Sequence, residues 1–196
     1  MLYENVLNIL DRSHFERVSN LTRVLARFAG FSEAESTRLA DAARYHDIGK
    51  VAIPDKILNS PDPLTVEQRK IVERHVEYGL ALMEIHTSAE MVLAKEIIAT
   101  HHERWDGKGY PHGIQGEEIP VSGRIVAMCD VFDALAFSRP YKPAWGMKKS
   151  INYVLDNCGS LFDPQLYTPF NETIESVFGI SASMHSSRAG PTVQQC

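Results

Sequence analysis

The chain has 196 residues, 44% of them hydrophobic, and a net charge of −5; that is enough for one domain with a substantial core, and the acidic balance argues against wide binding to a nucleic-acid polymer, which needs a basic face. Cys129, Cys158 and Cys196 stand in no paired spacing, so no disulfide framework is implied, and Cys129 and Cys158 are expected as core or near-core thiols of a cytoplasmic protein. No apolar run is long enough to span a bilayer and no signal-peptide pattern opens the chain, so no membrane partner is expected.

Residues 4–29 read as a helix. Val6, Ile9 and Leu10, then Val18, Leu21, Leu25 and Phe28, recur at the three-and-four spacing of a buried stripe, with Gly30 at its end. His14 lies on the same stripe. A lone histidine there is more often a core group bonded to a carbonyl than a ligand.

Ser32-Glu33-Ala34-Glu35 is a capping box. The helix it opens carries Leu39, Ala42, Ala43 and His46 on one face, so His46 also points inward. Asp47 follows at once, then Gly49, expected to stop the helix, and Lys50. An imidazole and a carboxylate at one helix end can reach the same ion. The carboxylate has a second oxygen for another ion, and the lysine brings a charge for a phosphate.

Residues 51–63 hold three prolines and read as an ordered loop. Thr65-Val66-Glu67-Gln68 is another capping box. It starts a helix with Ile71, Val72, His75, Gly79, Leu82 and Met83 along one side. Thr87-Ser88-Ala89-Glu90 caps the next helix, which leads through Val92, Leu93, Ile97 and Ile98 to His101-His102. The stretch from Glu103 to Pro120 is rich in glycine and proline and cannot be regular helix. It carries Trp105, Lys108 and Tyr110, side-chain types that stack on bases or hold phosphate.

Residues 122–137 read as a helix apolar nearly all round, hence central. It bears Asp130 and Asp133, three apart and on one face. Ser138-Arg139-Pro140-Tyr141-Lys142-Pro143 ends it with two cations and a phenol. Two more helices are expected at 147–157 and about 164–178. Residues 181–196 read as a disordered tail after a domain spanning 1–180. Nothing reads as a strand, so the fold class is all-α, a single compact domain of about seven helices with an ordered Gly/Pro-rich loop.

His14, His46, Asp47, His75, His101, His102 and Asp130 are thus seven polar groups from five helices, each on an apolar face or at a helix end. Burying that many without compensation is costly. Separate core histidines would account for one or two of them but poorly for all seven. Mixed imidazole and carboxylate donors suit iron, manganese or zinc rather than a thiolate site. Seven donors are too many for one ion and fit two that share Asp47. Two ions about 3.5–4 Å apart can hold a hydroxide and both oxygens of an in-line phosphoryl displacement.

The segments His46-Asp47-Ile48-Gly49-Lys50, His101-His102-Glu103-Arg104-Trp105-Asp106-Gly107-Lys108-Gly109-Tyr110-Pro111, Asp130-Val131-Phe132-Asp133-Ala134-Leu135 and Arg139-Pro140-Tyr141-Lys142 resemble, in order and spacing, the HD-GYP domain. That is the branch of the HD metal-dependent phosphohydrolases that degrades cyclic di-GMP in bacteria, and the likeness covers roughly residues 10–170. It implies hydrolysis of cyclic di-GMP by a metal-bridging hydroxide, to pGpG, or to GMP if the second bond is also cut. His14, His46, Asp47 and Asp130 would hold one divalent ion and His75, His101 and His102 the other, with Asp47 between them. Iron or manganese come first as the cofactors, and zinc, nickel and cobalt suit the same donors.

The resemblance gives the catalytic roles to Asp47, to Lys50 on the scissile phosphate and to Asp133 steadying Lys50. Tyr110, Arg139 and Lys142 would line the substrate pocket. Glu103 and Asp106 are expected to fix the loop. Some members bind a third ion through a Glu four residues before the first histidine; here that position is Leu10, so two ions are expected. The partners it implies are cyclic di-GMP, a diguanylate cyclase or other signalling protein, and an upstream receiver or sensor domain. Alternative readings are hydrolysis of cyclic GMP-AMP, or an adaptor that binds a diguanylate cyclase through the Gly-Tyr-Pro loop.

Overall fold

A computed structural model describes residues 11–138 and 143–180. The expected helical residues 4–10, Leu10, the tail and the Arg139–Lys142 segment lie outside the described residues. Within them the chain is all-helical, and the one extended pairing is an isolated bridge between Cys158 and Phe162.

Nine α-helices are present among the described residues. The first is α1 (Arg12–Phe28), then α2 (Glu33–Ala43), a short α3 (Asp55–Leu58), α4 (Val66–Glu73), α5 (His75–Leu82) and α6 (Ala89–Thr100). After the long loop come α7 (Val121–Ala136), α8 (Met147–Asp156) and α9 (Tyr167–Phe178). Asp11 caps α1 by accepting from His14 N. Ser32 and Thr65 form the expected capping boxes, and Ser88 caps α6. Helix α1 ends at Phe28, and just beyond it Gly30, with a φ of 95°, lets Phe31 N donate back to Ala26 O.

Helix α7 is buried on nearly every side and packs on α1, α6 and α8. Val18, Leu25, Ile97, Ile98, Met128, Phe132, Phe170 and Ile174 form one continuous core around it. Ile53, Ile57 and Val72 make a smaller cluster under α3 and α4.

Two expectations are corrected. The helix begun at Val66 does not run through to Met83, because it breaks at Arg74 and restarts at His75. Gly49 does not stop α2, which ends at Ala43; it lies in a 3-10 turn, Ile48–Ala52. A Cβ at Gly49 would sit 1.9 Å from His75 O and 2.4 Å from Gly79 N. The glycine is therefore there for close approach of this turn to α5, not for helix termination. The region expected as loop after it also contains α3, opened by Pro54.

Candidate metal centre

His46, His75 and His101 are each placed by a helix end. His46 lies just past the end of α2, and its Nδ1 donates to Ala43 O at 2.8 Å. His75 opens α5, with only Arg74 between it and the end of α4, and its Nδ1 donates to Val72 O at 2.8 Å. His101 caps α6, with Nδ1 3.0 Å from Ile97 O and 3.2 Å from Ile98 O. These carbonyls belong to last turns, where a carbonyl is open to a side-chain donor, and Ala43 O and Ile97 O accept from His46 N and His101 N as well. Because Nδ1 carries the proton, Nε2 presents its lone pair inward, the tautomer a metal ligand needs. The carbonyl ends of α2 and α6 also favour positive charge there.

The inward nitrogens converge on Asp47. His46 Nε2 is 3.3 Å from Asp47 Oδ2, while His75 Nε2 is 3.3 Å and His101 Nε2 3.8 Å from Oδ1. On the other side His14 Nε2 is 3.3 Å from Asp130 Oδ1 and 3.3 Å from His46 Nε2. The donors fall into two groups that share Asp47. One is His14, His46, Asp47 and Asp130; the other is Asp47, His75, His101 and His102, and in each the donor atoms lie within 4.8 Å of one another. Donors each about 2.1 Å from one ion stand about 3–3.5 Å apart, close to these separations.

Burial supports a cation at this place. Asp47 Oδ1 and the Nε2 atoms of His75, His101 and His102 are enclosed without a hydrogen-bond partner. Each such group costs about 1–3 kcal/mol if left so. Burial drives the His75 pKa down to about 3. Burial, then the neighbouring His101 and His75, holds His102 well below the usual range. Both are neutral and ready to ligate. Burial alone would raise Asp47, but Lys50 and His46 outweigh it and keep the carboxyl well below its ordinary value. Burial would likewise lower His46, and Asp47 and Asp130 reverse the sign.

Lys50 Nζ is 2.6 Å from Asp47 Oδ2. Asp133 is not beside Lys50. Its carboxylate accepts from His14 Nδ1 at 2.7 Å and from Arg17 Nε at 2.5 Å and a terminal Arg17 nitrogen at 3.0 Å. The expectation that Asp133 steadies Lys50 is therefore corrected, since both its oxygens are engaged by His14 and Arg17 of α1. Arg17 was missed in the sequence. Its spacing of three from His14 was the available signal, on a helix where i and i+3 share a face.

Tyr110 comes to the site, its ring stacked on His102 at 4.6 Å and edge-on to His75 at 6.4 Å. The loop that carries it is pinned from inside. Glu103 Oε1 accepts from His112 N at 2.7 Å and Gly113 N at 3.1 Å, and Asp106 pairs with Arg104. Both therefore fix the loop, as expected. A Cβ at Gly109 would lie 2.5 Å from His102 O and Glu103 Cα, so the loop closes directly over the histidine pair. Trp105 N donates to Leu161 O, and the Arg124 guanidinium stands 5.8 Å from the Trp105 ring centre. That side chain is part of the loop's anchorage. Arg139 and Lys142 lie outside the described residues.

All-helical packing around a buried His/Asp cluster defines an HD-type metal centre, and comparison with known proteins gives the family. A model of the HD domain matches residues 5–166, and the chain belongs to the HD-domain family, related to its HD-GYP cyclic di-GMP phosphodiesterases. It is 41% identical over 172 residues to 3'3'-cGAMP-specific phosphodiesterase 2 of Vibrio cholerae, covering 88% of this chain and 33% of that protein. It is 43% identical over 150 residues to the cyclic di-GMP phosphodiesterase response regulator RpfG of Xanthomonas campestris, covering 76% of this chain and 40% of that protein. A cyclic di-GMP phosphodiesterase of Thermotoga maritima is 41% identical over 157 residues, 80% of this chain and 43% of that one. The chain thus spans a third to two-fifths of the curated relatives it matches. The HD domain of the Listeria monocytogenes phosphodiesterase PgpH shares the fold at 18% identity with a TM-score of 0.63, over 95% of this chain and 99% of that one.

Proposed function

We propose that this domain hydrolyses cyclic di-GMP, opening the ring to pGpG and cutting again to give GMP. The observation that carries the reading is the pair of donor groups sharing Asp47. His14, His46, Asp47 and Asp130 would hold one divalent ion, and Asp47, His75, His101 and His102 a second, with iron or manganese proposed first. Such ions supply charge for the phosphoryl oxygens and lower the pKa of the attacking water.

The protein's own groups do the rest. Asp47 ties the two donor groups together. Lys50, whose Nζ reaches Asp47 Oδ2, is placed to hold the scissile phosphate and offset the charge that builds there. The neutral His75 and His102 remain ligands without competing for a proton. Tyr110 lies over His102, where its ring can meet a base or ribose. Arg139 and Lys142 are proposed to bind the dinucleotide's phosphates. Asp133 serves by holding His14.

A second substrate, 3'3'-cGAMP, is favoured by the 41% identity to a phosphodiesterase named as specific for it. The ratio of kcat/KM values for the two dinucleotides, followed by chromatography of the products, decides between them. A ratio above one for cyclic di-GMP supports the first reading, and a ratio below one reverses it. A receiver or sensor domain and a diguanylate cyclase are proposed as further partners in the cytoplasm; the first is in keeping with the name of one relative, a response regulator. Among the described residues no helix is long and apolar enough to cross a membrane.

A further inference from the structure

Four histidines face Asp47 or Asp130 with Nε2, and one is oriented differently from the rest. His46, His75 and His101 fix their Nδ1 protons on main-chain carbonyls. His14 instead bonds to a side chain, Asp133 Oδ2, at 2.7 Å. That carboxylate is in turn gripped by Arg17 through two nitrogens, one on each oxygen.

Arg17 is an unusual partner for a residue so deep. Asp133 is fully enclosed as a side chain, while Arg17 is 27% exposed. The guanidinium lies 4.4 Å above the Phe137 ring, which limits its rotation by cation–π contact. With Arg17 donating to both oxygens, Asp133 is an acceptor toward His14. The shared proton is thus placed on Nδ1, and the lone pair of Nε2 is left for an ion. A planar two-pronged donor does this in a way that a lysine point charge does not.

We propose that Arg17 is a positioning residue for one metal position only, the one built from His14, His46, Asp47 and Asp130. In the position built from His75, His101 and His102, His75 and His101 rest on main-chain carbonyls, and none of the three touches Asp133 or Arg17. The inference rests on the two-ion reading of the cluster. It makes the two positions unequal in a defined way, because only one of them includes a histidine, His14, oriented through a side chain that reaches solvent. Loss of an outer partner of this kind lowers metal affinity about 10- to 100-fold.

The test is manganese titration of purified full chain, read by bound metal per protein and by the electron paramagnetic resonance signal. Wild type is expected to hold two ions with a spin-coupled signal. Arg17→Met is expected to hold the first ion at wild-type affinity and to bind the second about 10- to 100-fold more weakly, with an isolated-ion signal at intermediate loading. Arg17→Lys should recover only part of the loss. In a His14→Ala background, Arg17→Met should change nothing further, because it acts through His14. In a His75→Ala background it should weaken the ion that remains.

Two tightly held ions in Arg17→Met would overturn the inference while leaving the two-ion reading intact. So would equal weakening of both ions, which marks a general structural role. If Arg17→Met fails to fold, Arg17→Lys carries the same decision. A wild type that binds no manganese removes the two-ion reading and the inference with it.

Discussion

At the scale of single residues, Asp47 has the most demanding position. It is 2% exposed, touches histidines of both donor groups and carries the Lys50 ion pair. Replacing it by Ala removes a donor from both positions at once. Asp47→Ala and His46→Ala are each expected to abolish turnover, and Asp47→Ala to lose bound metal as well. Full activity of a metal-loaded Asp47→Ala protein contradicts the shared-ligand account. Lys50 should behave differently. Lys50→Ala is expected to keep both ions and lose about 10²–10³ in kcat, the range for removing one group that stabilises transition-state charge. Metal analysis beside initial rates separates the two cases, and an unchanged kcat removes Lys50 from the chemistry.

The inward histidines were legible at this scale because helical spacing set His14, His46 and His75 on apolar stripes and put His101 and His102 at a helix end. Asp47 was legible from its place beside His46. What spacing could not give was the partner of each Nδ1, since that depends on where a helix stops. His46 and His75 find their carbonyls only because α2 ends at Ala43 and α4 at Glu73. Nor could it give the partner of Asp133, which is decided by how α1 crosses α7.

At the scale of elements, the turn after α2 and the start of α5 must touch for Asp47 and His75 to meet. Gly49 is what permits it. Gly49→Ala would press a methyl onto His75 O and Gly79 N, both backbone atoms that cannot swing away. Overpacking usually costs about 1–3 kcal/mol and sometimes more, and the upper end is expected here. Urea unfolding measures it, and the variant should also hold metal more weakly because His75 moves with the backbone. A neutral Gly49→Ala would mean that the close approach is relaxed elsewhere. The capped starts of α2, α4 and α6 were legible because side-chain caps are local chemistry. The break at Arg74 was not. Its flanking residues keep one apolar stripe, and nothing local to Glu73-Arg74-His75 forbids helix.

At the scale of the whole molecule, burying neutral histidines makes the metal-free protein sensitive to acid. His75 titrates near 3 when folded and near 6.5 when unfolded, and His102 is shifted the same way. Between those values the unfolded chain binds more protons, so stability falls as pH drops from about 6.5 toward 3. Asp47, lowered by Lys50 and His46 against burial, adds stability above its unfolded value near 3.8, and that too is lost in acid. His46 works the other way. Burial lowers it, but Asp47 raises it further, so its contribution is full below 6.5 and is lost as pH rises through its folded value. Thermal melts of chelator-treated protein should therefore show a midpoint that declines steadily from pH 6.5 to 4. A flat midpoint would contradict neutral burial of His75 and His102.

The helical architecture and the order of its motifs were readable from the chain, because amphipathic stripes and glycine-rich interruptions are written locally. The arrangement of the nine helices among the described residues that brings residues 14, 47, 75, 101 and 130 to one point is a tertiary fact. It became visible only where α7 packs on α1 and α6.

The most direct measurement pairs metal content with turnover on one anaerobically purified preparation, given cyclic di-GMP and followed by chromatography. The account predicts about two ions per chain and conversion to pGpG, with GMP following. Two ions bound and both cyclic di-GMP and 3'3'-cGAMP left intact would contradict it.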